Sequence, residues 1–292
     1  MAILAYDIGG SSIKYGVVSE TGELSGQGKV KTPATLEEFY VAVDQIRRDC
    51  STEVRGAGFS FPGAVDFAAD IIRGDSAVPY IHNFPIGKAL SERLGLPVSM
   101  ENDANCAGLG ECTWGAGREF ENAVFMVIGS GIGGAVIMNH QIYRGNHFHG
   151  GEFGYMVLSS DGEILSNTGS TRALVERVAT AKGVPVAKLD GEKVFAMADG
   201  GDAIAQREIE AMCHAIALAA YNLQYSLDPD IILLGGGVSA RADLVEKIQQ
   251  HVDDILQQVK IAQVRPLLKA CEAGNAANLL GAAAFFQQVH AE

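Results

Sequence analysis

The chain has 292 residues, 48% of them hydrophobic and 20% charged, with 35 glycines and no low-complexity run; this is a globular composition with room for two domains and many turns. Its 22 Lys and Arg against 35 Asp and Glu leave a formal charge of −13, which argues against a nucleic-acid backbone or an anionic membrane as partner. Cys50, Cys106, Cys112, Cys213 and Cys271 are odd in number and irregularly spaced, a usage that fits reduced thiols in a cytoplasmic protein and not a disulfide framework.

The opening "MAILAYD" lacks the basic region and apolar run of a signal peptide, and no later stretch has the roughly 20 apolar residues that cross a bilayer. Ile3 to Asp7 and Ile13 to Val18 read as strands around the turn "GGSS", and "SETGEL" turns the chain again into a strand over Gly26 to Thr32. The first turn has two readings. It is a tight hairpin, since glycine accepts positive φ and hydroxyl residues favour turns, or it grips a phosphate. Leu36, Phe39, Tyr40, Val43 and Ile46 then recur at helical spacing behind Thr35 as N-cap. Val54 to Ser60 and Val98 to Glu101 are further strands that deliver polar or glycine residues at their carboxyl ends, where open α/β sheets bind ligands.

"VFMVIGSGIGGAVIMNHQIYRG" (Val124 to Gly145) repeats the layout of Leu4 to Leu24: apolar strand, glycine-rich turn, apolar strand, polar turn, third strand. Two equivalent hairpins imply two related domains, with the boundary near Gly115 to Gly117. The second half adds a long helix near Ala203 to Leu227, a strand over Asp230 to Ser239, a helix through 240–258 and a last helix from about Asn275. The long helix is apolar over much of its surface, which suits a core or a subunit interface.

In "IGSGIGGA", Gly129, Gly131, Gly133 and Gly134 let backbone N–H groups approach an anion and Ser130 adds a hydroxyl, although a plain hairpin uses the same residues. Neither glycine turn is followed by Gly-Lys-Ser/Thr, so neither is a P-loop, and the contiguous glycines of "LLGGGVS" lack dinucleotide-fingerprint spacing. A nucleotide phosphate tail held between two lobes accounts for all three clusters. "SMENDANCAGLGE" sets Glu101, Asn102 and Asp103 where a strand gives way to a helix. Asn102 or Asp103 caps that helix, or Asp103 takes the proton from a hydroxyl attacking a γ-phosphoryl group while Asn102 holds a neighbouring hydroxyl. "FSFPGAVD" ends a strand in a Pro-Gly turn, where Gly63 opens the main chain to a small polar ligand. "HFHGGEFGYM" offers His147, His149 and Glu152, too few ligands for a metal site; Glu152 is a solvated turn carboxylate or binds two adjacent hydroxyls.

In order, "DIGGSSIK", "SFPG", "ENDAN", "GSGIGGA", "GGEFGY" and "GGGVS" resemble six motifs of the ROK family of sugar kinases, a branch of the actin-like ATPase superfamily. The resemblance spans nearly the whole chain. It implies an α/β fold of two actin-like (ribonuclease H-like) domains with a cleft between them. Residues 1–116 form a small N-terminal domain, onto which a C-terminal helix at about 277–292 packs back, and 117–276 form a larger one. It implies Asp103 as general base, with Gly63, Asn102 and Glu152 on the sugar. Asp7 organises Mg2+ through water. Gly9, Gly10, Ser11, Ser12, Ser130 and Gly131 hold the β- and γ-phosphates of ATP, and Gly236 and Gly237 lie at the adenosine.

Two departures qualify the match. Family kinases carry a histidine after the glutamate segment and a cysteine-rich run that together hold a structural zinc; here Tyr155 takes the histidine position and the run has no cysteine, so no zinc is expected. Ser12 stands where the first motif often has lysine. Among ROK members the pattern is most similar to the zinc-less β-glucoside kinase branch, whose members phosphorylate the 6-hydroxyl of cellobiose-like sugars. The expectation is an ATP- and Mg2+-dependent kinase acting on O6 of a hexose, a hexose derivative or a β-glucoside, with lobes that close on the sugar, and a homodimer. Two rivals remain: a sugar-responsive repressor, which in this family carries a DNA-binding region ahead of a motif that here begins at Asp7, and a sugar-binding protein without kinase activity, which would not need Asp103 and both phosphate turns.

Overall fold

The computed structural model describes residues 2–237 and 241–291. It resolves into two compact units: Met1–Arg118 with His140–Gly150 and Asn275–Glu292, and Glu119–Asn139 with Gly151–Gly274.

The first unit opens with β1 (Ala2–Ile8), β2 (Ser12–Val18) and β3 (Leu24–Lys31), an antiparallel meander, followed by α1 (Leu36–Asp49), β4 (Val54–Phe61), the hairpin β5 (Ala64–Asp66) and β6 (Ile71–Arg73), α2 (Ile86–Leu94), β7 (Val98–Asn102) and α3 (Asp103–Trp114). Its sheet has the order β3-β2-β1-β4-β7, with β1, β4 and β7 parallel. The central strand β1 is buried from Ile3 through Ile8. Tyr6 stacks on Phe59 at 4.5 Å with rings 2° from parallel, and α1 covers that face with Phe39, Tyr40, Val43 and Ile46, the residues its helical spacing predicts. Thr35 caps α1, its hydroxyl accepting from the Glu38 amide at 3.3 Å. Parallel register sets Asp7 beside Ser60 and Ser60 beside Glu101, so three polar residues share one row at the carboxyl ends of the strands.

The second unit repeats this plan. β8 (Ala123–Ile128) and β9 (Ile132–Met138), followed in the chain by β10 (Gln141–Ile142) of the segment counted with the first unit, precede α4 (Leu165–Gly169), α5 (Thr171–Lys182), α6 (Gly191–Asp199), α7 (Ala203–Leu227), β11 (Ile231–Gly235), α8 (Ala242–Gln258) and β12 (Leu268–Ala270). Its strands run in the order β9-β8-β11-β12, as β2-β1-β4-β7 do in the first unit, so the internal echo in the sequence is an echo of topology. α7 sends Ile209, Met212, Ile216 and Leu223 into this unit's core. β11 stops four residues before the sequence-predicted end. Gly236 leaves the sheet at φ +95°, and a Cβ there would meet the Ile128 carbonyl oxygen at 2.1 Å; the remainder of that predicted strand, Val238 and Ser239, lies outside the described residues.

The last helix, α9 (Ala277–Val289), packs on α3, β1 and β4 of the first unit. Two glycines permit this crossing. A Cβ on Gly281 would lie 1.6 Å from the Cys106 carbonyl oxygen, and one on Gly110 would lie 2.5 Å from that of Ala277. The five cysteines are free thiols, and among the described residues no helix is long and apolar enough to cross a membrane.

Because the atom opposing Gly281 is backbone, it cannot rotate away. Gly281→Ala should therefore destabilise the protein by about 2 kcal/mol or more through overpacking, read as a lower urea midpoint at unchanged slope.

Candidate functional site

At the carboxyl end of β1, Asp7 is 8% exposed. Its Oδ1 accepts from the Ser60 hydroxyl at 3.0 Å and from Asn278 Nδ2 at 3.1 Å; its Oδ2 accepts from Lys14 Nζ at 3.3 Å. Lys14 was not among the sequence-predicted residues. It lies two positions beyond Ser12 on β2 and hence on the same face of the strand, bringing a cation to this corner although Ser12 itself carries none. An ionised carboxylate has about four acceptor positions, and this one spends three on its own neighbours. That donor set fits Mg2+ held through its water shell, which the ion gives up reluctantly.

The two glycine turns are related but unequal. The first spans Gly9 to Ser12 between the paired residues Ile8 and Ile13, with the Gly9 amide donating to the Ser12 carbonyl at 3.0 Å and Thr32 N to the Ser11 carbonyl at 3.2 Å. The second is one residue shorter, Gly129 to Gly131 between Ile128 and Ile132, closed by Gly129 N to the Gly131 carbonyl at 3.0 Å. Gly9, Gly10, Gly129 and Gly131 all lie outside the left-handed region, which corrects the positive-φ rationale for a tight hairpin. Space explains the first turn better, since at Gly10 a Cβ would stand 2.6 Å from Ala77 Cβ; at Gly129 and Gly131 the nearest atoms would lie at 3.9 and 3.6 Å, an ordinary contact. Ser11 and Ser130 are exposed. The second turn abuts the amino end of α5, where Thr171 N donates to the Gly129 carbonyl at 2.9 Å and Arg172 Nε to the Ser130 carbonyl at 3.1 Å. The positive end of a helix dipole thus favours an anion there.

Where β7 becomes α3, one side chain caps the helix and ties two further residues to its start. Asn102 is the N-cap, its Oδ1 accepting from Asn105 N at 3.1 Å, and its Nδ2 donates to the Gly63 carbonyl at 3.0 Å and to Asp103 Oδ1 at 3.1 Å. Asp103 Oδ1 also accepts from the Ala104 amide at 2.9 Å. Gly63 takes φ +103° with its missing Cβ 2.9 Å from the His82 ring, so a larger residue is barred twice over. Gly63, Asn102 and Asp103 therefore form one connected corner.

Beneath it, Glu101 is fully buried. Its Oε1 accepts from Asn102 N at 2.8 Å and Asn105 Nδ2 at 3.0 Å, and Oε2 from Arg144 Nε at 2.7 Å. Burial pushes this carboxyl above the usual range despite the opposing pull of Arg144 and the two amides. Burial likewise holds the Cys106 thiol well above its ordinary value, with the carboxylates of Glu101, Asp7 and Asp103 adding to the effect, so this thiol is not a nucleophile.

In the second unit a cavity of about 860 Å³ is lined by Gly129, Ser130 and Gly237 and by the apolar side chains of Val175, Leu189 and Phe195. Arg241 lies 4.8 Å from the Phe195 ring centroid and pairs with Asp199 at 3.0 Å. Ser130 and Gly237 were among the sequence-predicted residues; Val175, Leu189, Phe195 and Arg241 were not, since nothing in their spacing separates a cavity wall from a core. Glu152 is exposed. It is carried over β9 by Gly151 and Gly154, whose Cβ atoms would approach the Gly134 and Ile132 carbonyl oxygens at 2.6 and 2.1 Å. Tyr155 is 69% exposed, and among the described residues no three His, Cys, Asp or Glu side chains gather as a metal site would require.

A model of the ROK family matches residues 3–289. The chain belongs to the ROK family. It is 32% identical over 294 residues to a β-glucoside kinase of Listeria monocytogenes, covering 99% of this chain and 98% of the relative. A solved ROK family protein from Streptococcus pneumoniae TIGR4 in complex with sucrose superposes with a TM-score of 0.92 at 38% identity, over 99% of each chain. A ROK family glucokinase from Streptomyces griseus in complex with glucose and AMPPNP gives a TM-score of 0.80 at 26% identity, over 99% of this chain and 100% of that one. The actin-like α/β fold of ROK kinases is thus the fold of this chain.

For this ROK chain, Glu101→Ala should cost about 3–5 kcal/mol, because Arg144 and two amides lose a buried partner. Glu101→Gln, which keeps a neutral acceptor in a place where burial already disfavours charge, should cost distinctly less; urea unfolding of both variants checks the order.

Proposed function

We propose that this ROK chain is an ATP-dependent carbohydrate kinase that transfers the γ-phosphoryl group to O6 of a hexose or β-glucoside. The observation that carries the reading is the corner of Gly63, Asn102 and Asp103, which offers one carboxylate to a hydroxyl beside a main-chain carbonyl and an amide. Asp103 accepts the hydroxyl proton; the oxygen attacks the γ-phosphorus; the bond to the β–γ bridging oxygen breaks and ADP leaves. Asn102, Gly63 and Glu152 hold the sugar hydroxyls. Gly9, Gly10, Ser11, Ser12, Ser130 and Gly131 place the phosphates, and Gly236 and Gly237 flank the nucleoside, whose base packs on the apolar side chains of the 860 Å³ cavity. A hydrated Mg2+ at Asp7, when bound, neutralises phosphate charge.

Support for a β-glucoside acceptor comes from the Listeria relative's name, and the Streptococcus protein's bound sucrose supports room for a disaccharide. The acidic surface and five free thiols support a cytoplasmic enzyme with no nucleic-acid partner, and likeness to ROK kinases supports a homodimer.

ADP formation measured across glucose, N-acetylmannosamine, fructose, cellobiose and other β-glucosides should be fastest with a β-glucoside. With that sugar, Asp103→Asn and Asp103→Ala should lower kcat by about 10²–10⁴-fold while sugar binding by calorimetry stays within a few-fold. Near-normal turnover in either variant would remove Asp103 from its role, and sugar binding without any ADP would favour the non-kinase alternative.

A further inference from the structure

Asn278 sits at the second position of α9, far along the chain from the residues it touches. Its Nδ2 donates to Asp7 Oδ1 at 3.1 Å, to Ser60 Oγ at 3.2 Å and to the Asp103 carbonyl oxygen at 3.4 Å. Chemistry fixes which end of the amide faces this corner, because the Asp103 carbonyl oxygen only accepts. The Ser60 hydroxyl spends its proton on the same Asp7 oxygen at 3.0 Å, which leaves its lone pairs to Asn278. One amide group therefore joins the carboxylate assigned to the phosphates and cation to the main chain of the proposed general base. The sequence intervals are 271 residues to Asp7 and 175 to Asp103.

Packing does not account for these contacts. Leu279, Leu280, Ala282 and Ala283 supply the buried apolar surface of α9, while Asn278 is half-buried and turned to polar groups. We propose that Asn278 is a positioning residue for phosphoryl transfer, holding Asp7 at a fixed place relative to the amino end of α3 and so relative to Asp103. The inference rests on the kinase reading. Phosphoryl transfer depends on placement more than on covalent chemistry, and a displacement of about 1 Å costs on the order of 10²-fold in rate.

The test uses the full chain carrying Asn278→Ala, Asn278→Asp, or Asp7→Asn with Asn278→Asp. Asn278→Ala should lower kcat by about 10–100-fold with the KM for sugar, the calorimetric sugar affinity and the melting temperature nearly unchanged. Asn278→Asp, which turns a carboxylate oxygen toward Asp7, should lower kcat further and weaken calorimetric binding of a non-hydrolysable ATP analogue in the presence of Mg2+. In the exchanged pair the amide and the carboxylate trade places, and analogue binding should recover relative to Asn278→Asp alone. Unchanged kcat in Asn278→Ala, or a loss matched by falling sugar affinity and melting temperature, would overturn the positioning role while leaving the kinase reading intact. A wild type that forms no ADP with any sugar would overturn the kinase reading, and this assignment with it.

Discussion

The first unit depends on two helices crossing at backbone distance. Gly110 and Gly281 leave no side chain where α3 and α9 meet at backbone distance, and this approach brings α9 into a corner built mainly from residues 7–103. The polar row Asp7, Ser60 and Glu101 comes from parallel register alone. The N-cap geometry of Asn102 and the amide of Asn278 tie that row to Gly63 and Asp103, and each contact depends on α3 lying where the glycine contact puts it.

The charge of this corner is arranged by depth. Glu101, fully enclosed, is held against Arg144 and two amides, where removing a partner is costly. Asp7, nearer the surface, keeps a lysine, a hydroxyl and an amide. Asp103, at the first helical turn, accepts from its neighbours in sequence. Three acidic residues within one row and one helix start thus sit in separate settings fixed by burial and partners: Glu101 enclosed against a guanidinium, Asp7 bound by a lysine, a hydroxyl and an amide, and Asp103 held by the helix start.

Much of this was legible in the residues. Alternation and helical spacing placed β1 to β4, α1 and α7, and the repeated strand–turn–strand layout foretold two sheets of one topology. The connected corner of Gly63, Asn102 and Asp103 followed from motif order. The first glycine turn was found for a partly wrong reason, since steric room at Gly10 and not left-handed backbone is what its glycine supplies. Lys14 was hidden because the motif directs attention to Ser12, although strand periodicity puts both on one face. Asn278 and the walls of the cavity had no local signature at all: their roles arise from contacts across 175 residues or more or from apolar side chains that, in sequence, look like any core.

The division of the chain bears on how the protein is made. Neither unit is a continuous stretch, and the first recruits its final helix from Asn275–Glu292. During synthesis, the amino-terminal sheet must wait, with the β4 surface and one face of α3 uncovered, until α9 has left the ribosome. The second unit, whose last segment ends at Gly274, has all its residues available sooner. Nascent chains halted before α9 would accordingly hold one mature half and one sticky half, a state in which a chaperone has most to protect.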